Sequence, residues 1–228
     1  VKYNVTLGKH KHKMSIGIKQ FEFNAFQENT FLIFDQYKNA VIIDPGFYSR
    51  EEQQILSAFI EEERLTLRAI LGTHAHIDHV LGNEFIMRTF GVDYYLHSED
   101  VATLKAVSSY AHVYGFEGYS PSPLPTHILQ GGEQLSFGDI LFDVYHTPGH
   151  SPGHVVYYNR ENNFVINGDV LFNGSFGRVD LPGGDLDTLK DSIFNTMFKL
   201  PEETVVYCGH GPSTTIGKEK RTNYILNF

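Results

Sequence analysis

Apolar and polar positions in the first part of the chain change period in a way that lays out its elements. Residues 16–23, 30–34 and 40–43 alternate or run apolar with Ile, Phe and Val between turn signals, which predicts three strands. Asp44-Pro45-Gly46 stops the third. Ser49 followed by Glu51 and Glu52 has the form of a helix start, and Ile55, Leu56, Phe59 and Ile60 supply one apolar face of a helix ending near Arg64. A short apolar run at 67–72 predicts a buried strand, followed by a helix over 83–89, a strand at 93–96 and a helix over 99–107. Residues 120–125 are Pro-rich and read as a connector. Strands are expected at 134–137, 140–146, 154–158 and 163–167, then a Gly-rich loop over 173–184, a helix over 186–199 and a strand at 204–207. This order fits an α+β chain built as a four-layer αββα sandwich, two mixed sheets packed together with helices on the outer faces.

Composition bounds the picture. With 228 residues, 41% hydrophobic, the chain is long enough for one substantial core. We expect a single domain over 16–228 preceded by an extension or arm over 1–15. Met14 is a candidate natural start, which would put His10 and His12 in a leader. Residues 1–13 carry four Lys, no acid and no apolar stretch of signal-peptide length. Nor does any apolar run approach the roughly 18 to 20 residues of a membrane helix. A net charge of −9 argues against a nucleic-acid partner, because phosphate binding relies on Lys and Arg. Cys208 is the only cysteine, so no internal disulfide can form; the cytoplasm is the default compartment. These features point to a small-molecule substrate and leave the oligomeric state open.

The chemistry concentrates in Thr73-His74-Ala75-His76-Ile77-Asp78-His79, where four metal-ligand side chains follow the apolar run at 67–72. Imidazoles and a carboxylate packed this densely lose hydration, and a divalent cation converts that cost into coordination. Three later positions, His150, Asp169 and His210, each fall at a glycine turn after a β-rich run. On a loop after a strand, His74 and His76 would turn toward one ion, joined by His150. Asp78 and His79 would face a second, joined by His210, and Asp169 would bridge both. Two cations acting on one water lower its pKa toward neutrality and give a hydroxide nucleophile. Asp78 and Asp169 are also the candidates for moving protons, and so are expected to be catalytic.

These residues, together with Asn29-Thr30, Asp44-Pro45-Gly46, Thr147-Pro148-Gly149-His150, Gly168-Asp169 and Gly209-His210-Gly211, resemble the metallo-β-lactamase superfamily, in its glyoxalase II-like (hydroxyacylglutathione hydrolase-like) branch. The resemblance runs through nearly the whole chain from about residue 16. It implies the same αββα fold and the same ligand roles. Asp169 stands where many class B β-lactamases are expected to place Cys or Ser, and His79 adds a nitrogen ligand; both favour a binuclear hydrolase. Residues 177–184 resemble the short-form proteins, which lack the C-terminal helical extension that supplies much of the glutathione-binding surface in full-length glyoxalase II. The implied activity is thioester hydrolysis, with zinc as first-choice metal and iron or manganese as alternatives.

Other positions carry two readings each. Asp44 either caps the Pro-Gly turn or orients a ligand histidine, and His154 is expected behind the ligands, holding one in place. Arg178 either pairs with Asp180 or Asp185 or meets a substrate anion. Ser175 belongs with Arg178 on the substrate-binding side, since nothing around it suggests an activated nucleophile. His97, His112 and His127 read as surface or hydrogen-bonded histidines, His146, four residues before His150, is not expected to be a ligand, and Cys208 reads as an inert core thiol. Two other activities fit the same core: persulfide oxidation at one iron held by His74 or His76, His150 and Asp169, and hydrolysis of a lactone or other ester. A metal-binding interaction module is the non-enzymatic alternative.

Overall fold

Period-two alternation decides which layer each strand residue joins. The computed structural model describes residues 16–228; the expected arm over 1–15 lies outside the described residues. β1 (Gly17–Phe23), β2 (Glu28–Phe34) and β3 (Asn39–Ile43) form an antiparallel meander. On β2, Phe31 and Ile33 face one way and join Val41, Ile43, Ala69 and Leu71 in a core between two sheets. Leu32 faces the other way, with Ala40, Ile42 and Ile70, into a core beneath helices. Because both faces are covered, β2 is buried along nearly its whole length.

Helical crossovers then extend the first sheet in parallel. α1 (Arg50–Glu62) opens on a capping box in which Ser49 and Glu52 satisfy each other's backbone N–H groups. It buries Leu56 and Ile60, but Ile55, expected on the same face, is exposed. β4 (Thr66–Leu71), α2 (Asn83–Phe90), β5 (Asp93–His97), α3 (Val101–Tyr110) and β6 (His127–Leu129) complete this half, with β3 to β6 parallel. The second sheet is an antiparallel meander of β7 (Gln134–Phe137), β8 (Ile140–His146), β9 (Val155–Asn159) and β10 (Phe164–Gly168). A small hairpin, β11 (Leu171–Phe172) and β12 (Ser175–Phe176), precedes α4 (Leu186–Asn195). β13 (Val205–Cys208) adds parallel to β10, and β14 (Thr214–Thr215) and α5 (Ile216–Thr222) follow. A third apolar cluster, with Val156, Val165, Leu189, Ile193 and Ile216, fills the space between this sheet and its helices. Three cores between four layers make the αββα sandwich expected from the element order.

Expected strands at ten positions are all present with ends shifted by no more than two residues. Four features were not anticipated. β6 has three residues with His127 and Ile128 exposed, so no alternation marks it. The hairpin of β11 and β12 lies partly within the expected loop over 173–184. β14 and α5 follow the last expected strand, and α4 stops at Asn195, with 197–199 forming a separate tighter turn rather than one helix to 199. The Pro-rich connector over 120–125 takes no part in lining the cleft described below.

Candidate metal centre

All four chemistry-bearing motifs leave the ends of strands: the His74 loop follows β4, His150 follows β8, Asp169 follows β10 and His210 follows β13. Their side chains meet in two groups. His74, His76 and His150 offer ligand atoms within 4.8 Å of one another, and so do Asp78, His79 and His210. Asp169 lies between the groups: its Oδ2 is 3.6 Å from His150 Nε2 and 3.4 Å from His210 Nε2, and its Oδ1 is 3.6 Å from His79 Nε2. Two glycines make this approach feasible. Gly168 takes φ +52, where a Cβ would overlap Thr73 Oγ1, and a Cβ on Gly209 would overlap Asp169 Oδ1.

Hydrogen bonds fix which nitrogen each ring presents. The Thr73 hydroxyl donates its one proton to Asp44 Oδ2 at 2.5 Å, so it must accept from His74 Nδ1 at 3.0 Å. His79 Nδ1 donates to Asp44 Oδ2 at 3.1 Å, His150 Nδ1 to the Arg178 carbonyl at 2.7 Å and His210 Nδ1 to the Phe26 carbonyl at 3.1 Å. Four rings are thus pinned through Nδ1 and turn Nε2 inward, the arrangement in which an outer partner sets the tautomer of a metal-binding histidine. His76 is the exception and presents Nδ1, 2.9 Å from His150 Nε2.

Whether this donor set fits cations can be tested on its unsatisfied atoms. His74 Nε2, His79 Nε2 and Asp169 Oδ1 are buried and find no hydrogen-bond partner among the described residues. Each such atom costs about 1–3 kcal/mol unless something meets it. Nitrogen and carboxylate oxygen are the donors that divalent transition metals take, and two groups sharing one carboxylate are consistent with a binuclear site.

The sequence profile of the Metallo-beta-lactamase superfamily matches residues 23–210. The chain belongs to that superfamily. It is 39% identical over 204 residues to hydroxyacylglutathione hydrolase GloC of Haemophilus influenzae, covering 89% of this chain and 94% of that one. Among solved structures it is similar to the BLEG-1 B3 metallo-beta-lactamase, with TM-score 0.85, 38% identity, and 93% and 100% of the two chains covered. It is also similar to TTHA1623 in a di-iron-bound form, with TM-score 0.82, 39% identity, and 90% and 98% covered. Superfamily membership and the buried His and Asp groups make the protein a metallo-hydrolase.

The candidate ligands of this superfamily member need bracing, and three buried groups supply it. Asp44, which takes φ +48, accepts the Thr73 N–H at 2.7 Å as well as the contacts above. His154 Nε2 accepts the Asp169 N–H at 3.0 Å. Asp100 was not anticipated. Its Oδ2 accepts the Ala75 N–H at 2.6 Å, and its Oδ1 accepts the Gly153 N–H at 2.7 Å and the Ser151 hydroxyl. It therefore joins the His74–His76 loop to the His150 loop. Glu28, also unanticipated, is fully buried with Oε1 3.8 Å from His79 Nδ1.

Burial and charge divide the rings. Burial, with neighbouring imidazoles adding to it, holds His74 well below the ordinary histidine range and His76 at about 3. Burial opposes charge on His210 too, but Asp169 and Asp78 outweigh it and push its pKa to about 10. His79 is raised for the same reason, its burial overcome by Asp78 and Asp169. Burial lifts the Asp100 carboxyl and pushes the Cys208 thiol to about 12, in line with an inert core residue.

The centre forms the floor of a cleft of about 980 Å³. Phe26, Tyr110, Val113 and Tyr114 form one wall; Phe172, Phe176, Leu181 and Pro182 line the other side. Ser175 and Arg178 also line it, but the Arg178 guanidinium makes two 2.7 Å bonds to Asp180. Arg178 touches the centre through its carbonyl. Of the other histidines, His97 stacks on His146 at 4.0 Å and His127 on Tyr95 at 4.3 Å, both away from the ligand groups, and His112 is exposed.

Proposed function

We propose that this metallo-hydrolase cleaves a small acyl thioester, of the hydroxyacylglutathione type or another acyl-thiol, using two divalent cations. The observation that carries the reading is the position of Asp169, whose two oxygens face both ligand groups. His74, His76 and His150 would hold one ion, Asp78, His79 and His210 the other, and Asp169 both. When bound, such ions supply Lewis acidity that lowers the pKa of water and polarises an acyl carbonyl. The likeness to a hydroxyacylglutathione hydrolase supports the thioester as the bond attacked. Zinc is the first-choice metal; TTHA1623 in its di-iron form supports iron, and manganese suits the same donors.

Hydrolysis breaks the acyl carbon–sulfur bond, adds the water's oxygen to the acyl carbon and delivers a proton to the departing sulfur. Asp78 and Asp169 would take and pass that proton; their Oδ2 atoms lie 3.2 and 3.4 Å from His210 Nε2, which supports the reading. A substrate seated against the apolar walls would displace water from the cleft and strengthen the field of these groups. Ser175 and Arg178 would meet the substrate at the cleft edge. The acidic composition supports a small molecule rather than nucleic acid as the partner, and we take the setting to be cytoplasmic and away from membranes. Among the described residues no helix is long and apolar enough to cross a membrane.

Metal analysis of the purified protein with a panel of thioesters, lactones and a β-lactam tests the reading. Two ions per chain with oxygen-independent thioester cleavage are expected. The 2.9 Å approach of His76 to His150, with Asp169 at 3.6 Å, also suits a single iron, so persulfide oxidation is the second reading. One iron per chain with oxygen consumption would replace the first reading by the second, and turnover of lactone alone would move the substrate to esters.

A further inference from the structure

The helix beside the metal centre is apolar on two faces, and a core accounts for only one. α3 has the sequence VATLKAVSSY, in which Lys105 is the single charged residue. Leu104 and Val107 are buried in the core beneath the first sheet. Ala102 and Ala106, one helical turn apart, are exposed, and they line the cleft with Tyr110 a further turn along. A helix face in contact with water ordinarily carries charged or polar side chains. Here it carries two methyl groups, a phenol and, as its one aliphatic hydroxyl, Thr103, over about 12 Å of helix length.

The chain after α3 continues the same surface. Val113 is 71% exposed, Tyr114 47% and Phe26 41%, large values for apolar side chains grouped at one cleft mouth. Tyr114 packs edge-on against both Tyr110 and Phe26, each at 5.8 Å between ring centres. Phe26 in turn holds His210 through its carbonyl, so the apolar wall runs without a break to the ligand groups. Arg178 is the one Lys or Arg among the described residues lining the cleft, and Asp180 already engages it.

We propose that the α3 wall, from Ala102 and Ala106 through Tyr110 to Val113, Tyr114 and Phe26, seats an unbranched apolar acyl chain whose carbonyl lies at the metal centre. Resting on the thioester reading above, this makes the substrate class acyl thioesters of medium chain length rather than short hydroxyacyl ones. The two alanines leave room alongside the helix, and their replacement by a large side chain closes it.

The test uses the metal-loaded enzyme and a series of S-acyl-N-acetylcysteamine thioesters from acetyl to decanoyl, with S-lactoylglutathione for comparison. kcat/KM is expected to rise about threefold per added methylene until the wall is filled, in keeping with the transfer of a methylene out of water. Ala106→Phe should lower the octanoyl-to-acetyl ratio at least tenfold, and Lys105→Ala, outside the cleft, should leave that ratio as it is. Calorimetric binding of the unreactive thioether S-octyl-N-acetylcysteamine separates the two proposals. Binding that Ala106→Phe abolishes, without turnover of any thioester, upholds the wall and overturns the thioester reading. Turnover that is flat with chain length or highest on S-lactoylglutathione, with no thioether binding, upholds the thioester reading and overturns the wall.

Discussion

The two halves of the candidate metal centre gather their donor atoms by opposite electrostatic routes. In the half made by His74, His76 and His150, burial keeps His74 and His76 neutral, and the His74 lone pair is left without a partner. In the half made by Asp78, His79 and His210, the carboxylates raise both histidines, so protons already compensate the negative charge. A cation entering the first half meets neutral rings, whereas one entering the second must displace protons. Preorganisation by burial and preorganisation by charge therefore predict different metal-binding behaviour within one site.

The largest effect should come from removing what the halves share. Asp169→Ala is expected to lose more than the roughly 10- to 100-fold that deletion of an outer partner costs, because both ions lose a ligand at once. The second ion should be lost with it while the fold persists, as the three cores lie elsewhere. Thioester turnover and metal content measured together check this; retained turnover with two ions bound would remove Asp169 from the role proposed for it.

Next come the two carboxylates that brace one half each. Asp100 binds the loops carrying His74, His76 and His150, and Asp44 binds His79 directly and His74 only through Thr73. Asparagine turns an amide toward an N–H that now donates to an oxygen, so one hydrogen bond is lost at each site. Asp100→Asn should weaken the first ion by about 10- to 100-fold, and Asp44→Asn should weaken the second ion more than the first. Stepwise competition with a chelator resolves the two ions; equal effects of both variants on the same ion would dissolve the distinction between the halves.

What the sequence made legible follows the same division. The candidate ligands could be picked out because His74, His76, Asp78 and His79 crowd one turn, and the later ones because each ends a strand at glycine. Asp44 was half legible: its place before Pro45-Gly46 marked it, but only the fold brings it to His79. Asp100 was not legible, since it acts on backbone N–H groups 25 and 53 positions away and backbone groups leave no trace in sequence. Glu28 escaped for a related reason, its partner His79 arriving from another loop. In the fold, long alternating strands were read to within two residues, whereas two-residue strands such as β11 and β14 are made by pairing partners and carry no period of their own.

Acid and base should separate the halves further. As pH falls, binding of the second ion should weaken by about tenfold per pH unit for each proton displaced, with a shallower dependence for the first. Without metal, the sign differs by ring. His74, His76 and His154 have folded values below the unfolded value of about 6.5, so their contribution is complete above that pH and is lost as pH falls, for His76 down to about 3. His210 is raised, so its contribution is complete below about 6.5 and is lost as pH rises through about 10. Thermal melts of the metal-free protein should therefore fall on both sides of neutrality. A melting temperature independent of pH would mean that the rings are not held as described.

The smallest effect should come from Arg178, and it sharpens the comparison by marking where the first half ends. Its carbonyl, not its guanidinium, holds His150, and its side chain is exposed and committed to Asp180. An exposed pair of this kind is screened by solvent and contributes little, so Arg178→Ala should change the melting temperature little and leave both metal affinities intact. If the guanidinium exchanges Asp180 for a substrate anion, the variant raises KM for S-lactoylglutathione while KM for a neutral thioester stays the same. A loss of the first ion in Arg178→Ala would instead show that the side chain, through the loop it anchors, keeps the His150 ring in place.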